Sequence, residues 1–450
     1  MAEVAADERR GLGLPRRQGI SAKDPAPYGW APVVVLFVVG LVDRIEHGLL
    51  AGVLPLLQSE WGVSDTVAGA IPTAAALAAT AVALPAGYLA DRYDRTRIIA
   101  VVVFCWGLAT LGSGLATGFA MFFAMRVVLA AAETIDNPAS GSLLADYYPP
   151  VTRAKAYGLV RITTYLGGIG TALGGVLGQA VGWRATFMIM AIPGVLTALL
   201  AWWLREPSRG LLDRVIARGS DEGTGGTDPL TGELRFGSQF RQVLKIPTLV
   251  MICAGLMVLT PGLAGIAYWT PSLMVRRLGV DVGVAASLAG LISVVGVVAG
   301  TLVGAWLGRR MHGTRKGGRL LVGGAGITLG SLVLALAISM ESLPPFVALL
   351  VASSLLLATA IPNLTASLAD VVVAASRGLG FALLQLCITA GAAFGPLVVG
   401  IASDRSGSLA TAMYVLTVPM MLGGLLSLAA RGFFERDAQR VLDSARAEIG

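Results

Sequence analysis

The sequence predicts an all-α membrane protein of 12 transmembrane helices, arranged in two pseudo-symmetric six-helix halves. Three observations predict this fold: the scarcity of charge, the number of apolar runs, and one long polar stretch in the middle of the chain. Hydrophobic residues make up 55% of the 450 residues and charged residues only 14%, whereas soluble domains carry about 25% charged residues. The 58 glycines agree with this interpretation, because small residues let membrane helices approach closely.

The apolar runs have the length of about 20 residues that is needed to cross a bilayer. Those of the first half cover 31–57, 66–90, 98–117, 119–145, 156–181 and 184–204. Those of the second half cover 247–275, 283–308, 320–340, 344–370, 378–402 and 409–430. The polar stretch between them is rich in glycine and predicts a flexible linker. The predicted organisation is an N-terminal tail (1–30), a six-helix half (31–204), a linker (205–246), a second six-helix half (247–430) and a C-terminal tail (431–450).

Lysine and arginine predict which helix ends face the cytoplasm. With both termini placed there, 27 of the 34 Lys and Arg residues fall in cytoplasmic segments, four in outer loops and three inside helices. Short cytoplasmic loops of membrane proteins carry this excess of positive charge. The predicted location is therefore the cell (plasma or inner) membrane, with a multi-pass chain and both termini in the cytoplasm.

Composition also argues against several classes of function. The net charge of +7 would suit nucleic acid, but the basic residues lie in short loops between apolar runs and form no binding stripe. Cys105, Cys253 and Cys387 each lie inside an apolar run and predict neither a disulfide framework nor a metal site. No nucleophile–base pair is visible either. We therefore expect no enzyme activity, no cofactor and no nucleic-acid partner.

A repeated sequence pattern relates the two halves. The second run ends in the stretch 87–97 and the eighth in the stretch 304–310. Each is a glycine-containing helix end that continues into a basic cytoplasmic turn, at the same place in its half. Two six-helix repeats joined by a linker are typical of secondary transporters, whose substrate sites lie between the repeats.

Charged residues inside apolar runs are the leading site candidates, since each is costly in hydrocarbon unless it is paired or hydrated. The fourth run holds Arg126 and Glu133, and seven residues are two helical turns, so both share a face about 10 Å apart along the axis. Burial raises the pKa of a carboxylate, whereas a nearby arginine lowers it. A change in the separation of the two groups would therefore couple proton binding to movement. The alternative is a structural ion pair that braces the helices.

The first run holds Asp43, Arg44, Glu46 and His47 near the middle of the membrane. Asp43, Glu46 and His47 stand at i, i+3 and i+4 and so share a helix face, and histidine titrates in the physiological range. We predict that these three residues take part in proton coupling together with the pair in the fourth run. A charge network closed on itself is the alternative.

Candidate substrate-binding residues are polar or charged residues at membrane depth. Asp136 and Asn137 continue the face of Glu133, and Arg161 either extends its guanidinium to the interface or holds an anionic headgroup. The second half has almost no deep charge, so its wall is predicted to be apolar with a few polar points. A cavity of this kind suits an amphiphile. The full predicted set is Arg44, Arg126, Asp136, Asn137, Arg161, Tyr268, Trp269, Asn363 and Gln385.

The stretch 87–97 resembles the signature loop of the major facilitator superfamily, with Gly87, Asp91, Arg92 and Arg95 at the motif positions. The resemblance implies that Gly87 allows close helix contact and that Asp91 accepts hydrogen bonds from a neighbouring helix end. It also implies that Arg92 and Arg95 pair with acidic partners. In that family the loop latches the cytoplasmic side in the outward-facing state, so these residues form a predicted gating loop. A plain positively charged loop is the alternative.

The first half is similar to the spinster branch of this superfamily, which includes sphingolipid and lysophospholipid transporters. The similarity covers 40–275 and is thin beyond. It is carried by the stretches 51–54, 87–92, 167–170, 205–210 and 269–273 and by the spacing of Arg126, Glu133 and Asp146.

The resemblance implies roles for an Asp-Arg pair in the first helix and an Arg and a Glu in the fourth, in proton coupling and substrate binding. The fourth-helix residues carry over directly. Aligned on 51–54, the Asp-Arg position falls on Glu46 and His47, whereas Asp43 and Arg44 lie three residues earlier. Both pairs therefore stay candidates.

The main hypothesis from the sequence is a proton-coupled secondary transporter that moves an amphiphilic or lipid-like anion by alternating access. A proton-linked exporter of drugs or small organic anions is the alternative, and a non-transporting membrane sensor or scaffold is a remote one. We expect a monomer whose partners are the substrate, protons and membrane lipids.

Overall fold

The computed structural model describes residues 25–210, 236–373 and 376–447 of the chain. The described residues are organised as α-helices with one short 3₁₀ segment, Ile162–Leu166. The helices are α1 (Ala31–Trp61), α2 (Asp65–Arg92), α3 (Arg95–Gly114), α4 (Phe119–Tyr147), α5 (Pro150–Arg161), α6 (Gly167–Val181), α7 (Trp183–Trp202), α8 (Phe236–Leu244), α9 (Pro247–Leu278), α10 (Val282–Met311), α11 (Gly318–Ser339), α12 (Leu343–Ala358), α13 (Ala360–Val371), α14 (Arg377–Ser406), α15 (Leu409–Ala429) and α16 (Arg431–Ala447).

Nine helical stretches in the described part of the chain are long and apolar enough to cross a membrane, with α12 and α13 counted as one stretch. They do not include α1 and α4, which are 31 and 29 residues long but carry charges in their interiors. They also do not include the interrupted stretch from α5 to α6. The all-α membrane fold is confirmed, and the exact number of 12 spans stays a prediction.

The chain from 150 to 181 differs from the single helix predicted there. α5 ends at Arg161, the 3₁₀ segment follows, and α6 begins at Gly167. Three β-branched residues in the 3₁₀ segment and the glycines after it have low helix propensity. The hydroxyl of Thr163 also donates a hydrogen bond to the carbonyl of Val160 at 2.7 Å. The sequence therefore weakens the regular α-helical pattern at the middle of this predicted span.

Two segments predicted as polar connections contain helices. The predicted linker includes α8, and most of the predicted C-terminal tail is α16. Asp437 of α16 accepts hydrogen bonds from the backbone N–H and the hydroxyl of Thr248 at 3.1 and 2.8 Å, so α16 is attached to the first turn of α9. Residues 1–24 of the N-terminal tail and 211–235 of the linker lie outside the described residues.

The chain forms two compact units, of which the first comprises Met1–Leu49, Ala74–Gly170 and Ala180–Leu230. Its core contains the fully buried side chains of Trp106, Tyr147 and Tyr148. The Tyr148 hydroxyl donates to the carbonyl of Gly29 at 3.0 Å and accepts from the N–H of Val33 at 3.1 Å. This core fixes α1 against α3 and α4, and so positions the charged residues of α1 and α4.

The second unit comprises Leu50–Thr73, Thr171–Gln179 and Thr231–Gly450. Within it, glycines of α10 form a close seam with α12 and α13. A Cβ at Gly300 would lie 2.3 Å from the carbonyl oxygen of Leu355, and one at Gly304 would lie 2.6 Å from the Cα of Thr359. The seam therefore fixes how α10 is rotated about its axis. The predicted boundaries of the two halves stay a prediction.

Candidate functional site

Four charged or titratable side chains lie close together in α1, and two of them form an ion pair. Arg44 Nη2 lies 2.7 Å from Asp43 Oδ2, and the Arg44 side chain is 36% exposed. Asp43 and Glu46 are buried, whereas His47 is exposed. Asp43 is therefore engaged by its chain neighbour, and Glu46 points to a partner on another helix.

That partner is Arg126 of α4. Its Nη1 donates to Glu46 Oε1 at 2.7 Å, and its Nε and Nη2 donate to the Ser113 hydroxyl at 3.2 and 3.0 Å. The hydroxyl of Thr110 donates to the same Glu46 oxygen at 3.1 Å, and the Arg126 guanidinium lies 4.8 Å from the ring centre of Phe187. Both charged side chains are almost fully buried. They form a buried ion pair that joins α1, α3 and α4, in which the Oε2 atom of Glu46 has no hydrogen-bond partner among the described residues.

Glu133, two turns after Arg126 on α4, makes no ion pair with a Lys or Arg among the described residues. Its Oε1 atom is buried without a hydrogen-bond partner in that part of the chain. Its carboxyl group nevertheless lies within electrostatic range of Asp43, Arg44, Glu46 and Arg126. The structure thus places Glu133 beside two ion pairs without including it in either.

Asp136 and Asn137 lie one turn beyond Glu133. Asp136 accepts a hydrogen bond from the hydroxyl of Ser140 at 2.8 Å and lies within electrostatic range of Asp43. The exposed Asn137 side chain donates to the carbonyl of Glu133 at 3.4 Å. Seven residues of the first unit are therefore gathered into one group, here named the charge cluster: Asp43, Arg44, Glu46, His47, Arg126, Glu133 and Asp136.

Three residues predicted to bind substrate are instead buried and bonded to backbone in the second unit. Tyr268 donates to a carbonyl of α2 at 2.9 Å, and Trp269 donates to a carbonyl of α14 at 2.9 Å. Asn363 donates to the carbonyl of Gly304, within the α10 seam, at 2.8 Å. These bonds use the polar atoms that we expected to face substrate, so the geometry favours a packing role for all three.

The two remaining substrate-binding candidates are exposed. Arg161 lies at the end of α5, directly before the 3₁₀ segment. Gln385 lies on α14, where its Nε2 atom donates to the hydroxyl of Thr389 at 3.2 Å. Each belongs to a different unit, and only Arg161 belongs to the same unit as the charge cluster.

The predicted gating loop connects α2 and α3. Arg95 is buried, forms an ion pair with Asp146, and donates to Glu206 Oε1 at 2.7 Å, as the motif implies. Arg92 is exposed and contacts the side chain of Tyr88, a residue of its own helix, rather than an acid. Arg95 therefore joins the start of α3 to the end of α4 and to the segment after α7.

The contacts that the motif implies for Gly87 and Asp91 are not formed among the described residues. A Cβ at Gly87 would meet no atom of the described chain within 4 Å, so the close helix contact implied by the motif is not formed there. Asp91 is exposed, and the contact recorded for it is at its carbonyl oxygen, which accepts from the Arg209 guanidinium. Arg209 also donates to the carbonyl of Ala90 at 2.7 Å. The backbone that ends α2 is thus held by Arg209, a contact not predicted from the sequence.

A polar network in the second unit was not predicted either. The Asp65 carboxylate accepts from Arg276 at 2.8 and 2.7 Å, from Gln58 at 2.8 Å and from Ser403 at 2.6 Å. Asp404 accepts from the backbone N–H groups of Asp65 and Thr66 at 3.1 and 2.9 Å. In the sequence these residues lie at the ends of apolar runs and resemble ordinary loop charges. Asp65 and Arg276 lie in two different predicted outer loops, 58–65 and 276–282, so no local pattern in the sequence indicates that they pair.

The family model described as Major Facilitator Superfamily matches residues 36–342. Among curated proteins, Protein spinster homolog 1 of Xenopus tropicalis is 25% identical over 441 residues, which cover 91% of this chain and 81% of that protein. The 4-hydroxybenzoate transporter PcaK of Pseudomonas aeruginosa is 29% identical over 208 residues, 45% of each chain, so this chain matches less than half of that relative.

A solved structure shares the fold. It is the crystal structure of a bacterial homolog to the human lysosomal transporter Spinster in an inward-facing and unoccupied conformation. The TM-score is 0.74 at 21% identity, and the alignment covers 92% of this chain and 97% of that chain.

Proposed function

Because the chain belongs to the Major Facilitator Superfamily, we propose that it is a proton-coupled secondary transporter that moves an amphiphilic or lipid-like anion by alternating access. Members of this family are membrane transporters and not enzymes. The proposal places the chain in the cell membrane with both termini in the cytoplasm, which the distribution of Lys and Arg supports. It takes 31–204 and 247–430 as the two moving halves.

The observation that supports proton coupling is the excess of carboxylates in the charge cluster. Arg44 pairs with Asp43 and Arg126 pairs with Glu46, which leaves Glu133 and Asp136 without a cation of their own in the part of the chain that the structure describes. An unpaired buried carboxylate is costly as an ion. Among the described residues, Glu133 Oε1 and Glu46 Oε2 are both buried without a hydrogen-bond donor. Since Glu46 has Arg126 as its cation and Glu133 has none there, Glu133 is the residue that we expect to bind the transported proton.

The two arginines are expected to differ in their response to a substrate anion. Arg126 is buried among Glu46, Ser113 and Phe187, so its release would break several contacts. Arg44 is about one-third exposed and is bound to one carboxylate. An anion that pairs with Arg44 adds negative charge beside Glu133, which favours proton uptake there. Substrate binding and proton binding should therefore strengthen each other.

The resemblance of the first half to the spinster branch supports a lipid-like substrate, as does the match to a spinster homolog over 91% of the chain. The partly exposed Arg44 and the exposed Arg161, both in the first unit, would supply the cations for an anionic headgroup. Three of the four polar residues predicted in the second unit are engaged in packing, and the fourth, Gln385, carries no charge. Recognition of the headgroup is therefore assigned to the first unit.

The second candidate substrate is a small organic anion. The relative that favours it is the 4-hydroxybenzoate transporter PcaK, 29% identical over 208 residues. An aromatic carboxylate needs the same arginines but no room for an acyl chain. Uptake of labelled 4-hydroxybenzoate and of a labelled lysophospholipid into the same proteoliposomes would separate the two candidates.

The test of proton coupling is flux into proteoliposomes with and without a pH gradient, comparing the wild type with Glu133→Gln. Glutamine has the shape of the protonated acid and cannot ionise, so we expect gradient-driven flux to be lost while the protein stays folded. Glu341→Gln, at an exposed carboxylate in the α11–α12 connection, is the matched control and should behave as the wild type. Unchanged pH dependence in Glu133→Gln would remove Glu133 from the mechanism. Flux of neither labelled substrate would count against both substrate classes.

A further inference from the structure

One face of α10 is apolar and exposed over most of its length. Leu291, Val295, Val298, Leu302 and Trp306 are each between 40% and 66% exposed. Their spacing of three or four residues places them in one stripe along the helix. The rotation of α10 is fixed by the glycine seam on its other face, where Gly300 and Gly304 meet α12 and α13. The stripe therefore points away from these two helices.

The stripe is long enough to follow most of the thickness of the hydrocarbon layer. Leu291 and Trp306 are 15 residues apart, or about 22 Å along a helix, and α10 continues for nine residues before Leu291. The hydrocarbon core is about 30 Å thick, so Trp306 falls near the level where the core meets the headgroups. Tryptophan is enriched at that level because its ring is amphipathic.

Arginines follow directly below the tryptophan. Arg309 and Arg310 are exposed and stand three and four residues after Trp306, on the same face. The Arg310 guanidinium lies 5.6 Å from the ring centre of Trp306. The sequence contains no Asp or Glu from 282 to 340, and neither arginine has a carboxylate partner among the described residues.

Two other arginines of the same predicted membrane side are engaged by carboxylates. Arg95 pairs with Asp146 and Glu206, and Arg319 pairs with Asp370. Arg309 and Arg310 are therefore an uncompensated pair of cations at the headgroup level, below a stripe that matches an acyl chain. Basic clusters beside membrane helices attract anionic lipid headgroups.

We propose that this face of α10 binds an anionic phospholipid from the leaflet on the side where α10 ends. Arg309 and Arg310 hold the phosphate, Trp306 lies beside the glycerol, and an acyl chain follows Leu302 and Val298. The site lies in the second unit, apart from the charge cluster in the first. It does not depend on proton coupling or on the identity of the transported substrate.

The test uses tryptophan quenching by brominated lipids in phosphatidylcholine vesicles that contain the full chain. A small fixed fraction of either dibrominated phosphatidylglycerol or dibrominated phosphatidylcholine is included. The difference in quenching between the wild type and Trp306→Phe isolates the signal of Trp306. We expect the brominated phosphatidylglycerol to be preferred, by about fivefold for each arginine that contacts the phosphate.

The double variant Arg309→Gln/Arg310→Gln should lose this preference, and Arg309→Lys/Arg310→Lys should keep most of it. Arg436→Gln/Arg440→Gln removes the same charge from exposed positions on α16 and should retain the preference. Thermal unfolding of each variant in phosphatidylcholine alone checks that it is folded. Equal quenching by the two lipids in the wild type would overturn the proposal, as would an equal loss in the α16 control. Displacement of the brominated phosphatidylglycerol by added inorganic phosphate would also overturn it, because the site would then bind a free anion rather than a lipid.

Discussion

Replacement of Arg126 by glutamine tests whether the Glu46–Arg126 pair is structural. The variant removes the 2.7 Å bond to Glu46 and both bonds to the Ser113 hydroxyl. Glu46, which is 1% exposed, keeps only the donor hydroxyl of Thr110 at 3.1 Å. Removal of one partner from a buried ion pair leaves an uncompensated charge and costs about 3–5 kcal/mol. We expect the free energy of unfolding to fall by about that amount.

The assay is thermal unfolding of the purified variants. In Arg126→Gln the midpoint of thermal unfolding should fall, because Glu46 is left as a buried carboxylate without its cation. Glu46→Gln/Arg126→Gln should recover part of the loss, since neither charge remains. If Arg126→Gln unfolds like the wild type, or if the losses of the single variants simply add in the double variant, the pair does not brace the helices.

Three further predictions use the same structure. Asp43→Asn should impair transport with little loss of stability, whereas Glu46→Gln should mainly lower stability, because Asp43 binds the partly exposed Arg44 and Glu46 binds the buried Arg126. Flux and thermal unfolding of both variants test this, and equal, mild effects would show that α1 does not take part in proton coupling. Gly300→Ala should destabilise by about 1–3 kcal/mol through overpacking, since its Cβ would lie 2.3 Å from the carbonyl oxygen of Leu355. Gly87→Ala, with nothing within 4 Å of its Cβ, should stabilise α2 by up to about 1 kcal/mol, and thermal unfolding in the reverse order would contradict the close packing at Gly300. Asp65→Asn should speed the labelling of a cysteine placed at Thr73 in a cysteine-free background, because the bonds from Arg276 and Ser403 that hold α2 become weaker. If that cysteine is labelled at the same rate with and without Asp65→Asn, the network does not control access to this position.

Most of the fold can be predicted because the lengths of the apolar runs and the positions of Lys and Arg are read directly from the sequence. The first predicted run, 31–57, corresponds to α1, and the predicted run 283–308 lies inside α10. The interruption after Arg161 was not predicted, because hydropathy stays high through the 3₁₀ segment and only helix propensity changes. α16 was not predicted as structured because it is polar overall, and the bonds that attach it, from Thr248 to Asp437 and from the Gly317 N–H to Glu435, join residues far apart in the sequence.

The candidate site was predictable as a set of residues but not as a set of pairs. Buried charges are rare enough in apolar runs that Asp43, Glu46, Arg126 and Glu133 stand out in the sequence, and the structure gathers them. Which acid meets Arg126 depends on the rotations of α1 and α4, and local spacing does not determine these rotations. Tyr268 and other polar residues of the second unit were predicted to bind substrate because the sequence does not show that backbone carbonyls of neighbouring helices accept their hydrogen bonds.

The Glu46–Arg126 and Asp65–Arg276 ion pairs also differ in how readily they would break during a transport cycle. The Glu46–Arg126 pair is buried on both sides, so its separation would expose two charges to a medium of low polarity. In the Asp65–Arg276 pair the Asp65 side chain is 8% exposed but the arginine side chain is 41% exposed, so water can solvate the guanidinium when the pair opens. This pair should therefore cost less to break than one that is buried on both sides. Alternating access requires contacts that break and re-form without a large loss of stability. The Asp65 network meets that requirement and the Glu46 pair does not, so we expect the former to change between states while the latter persists.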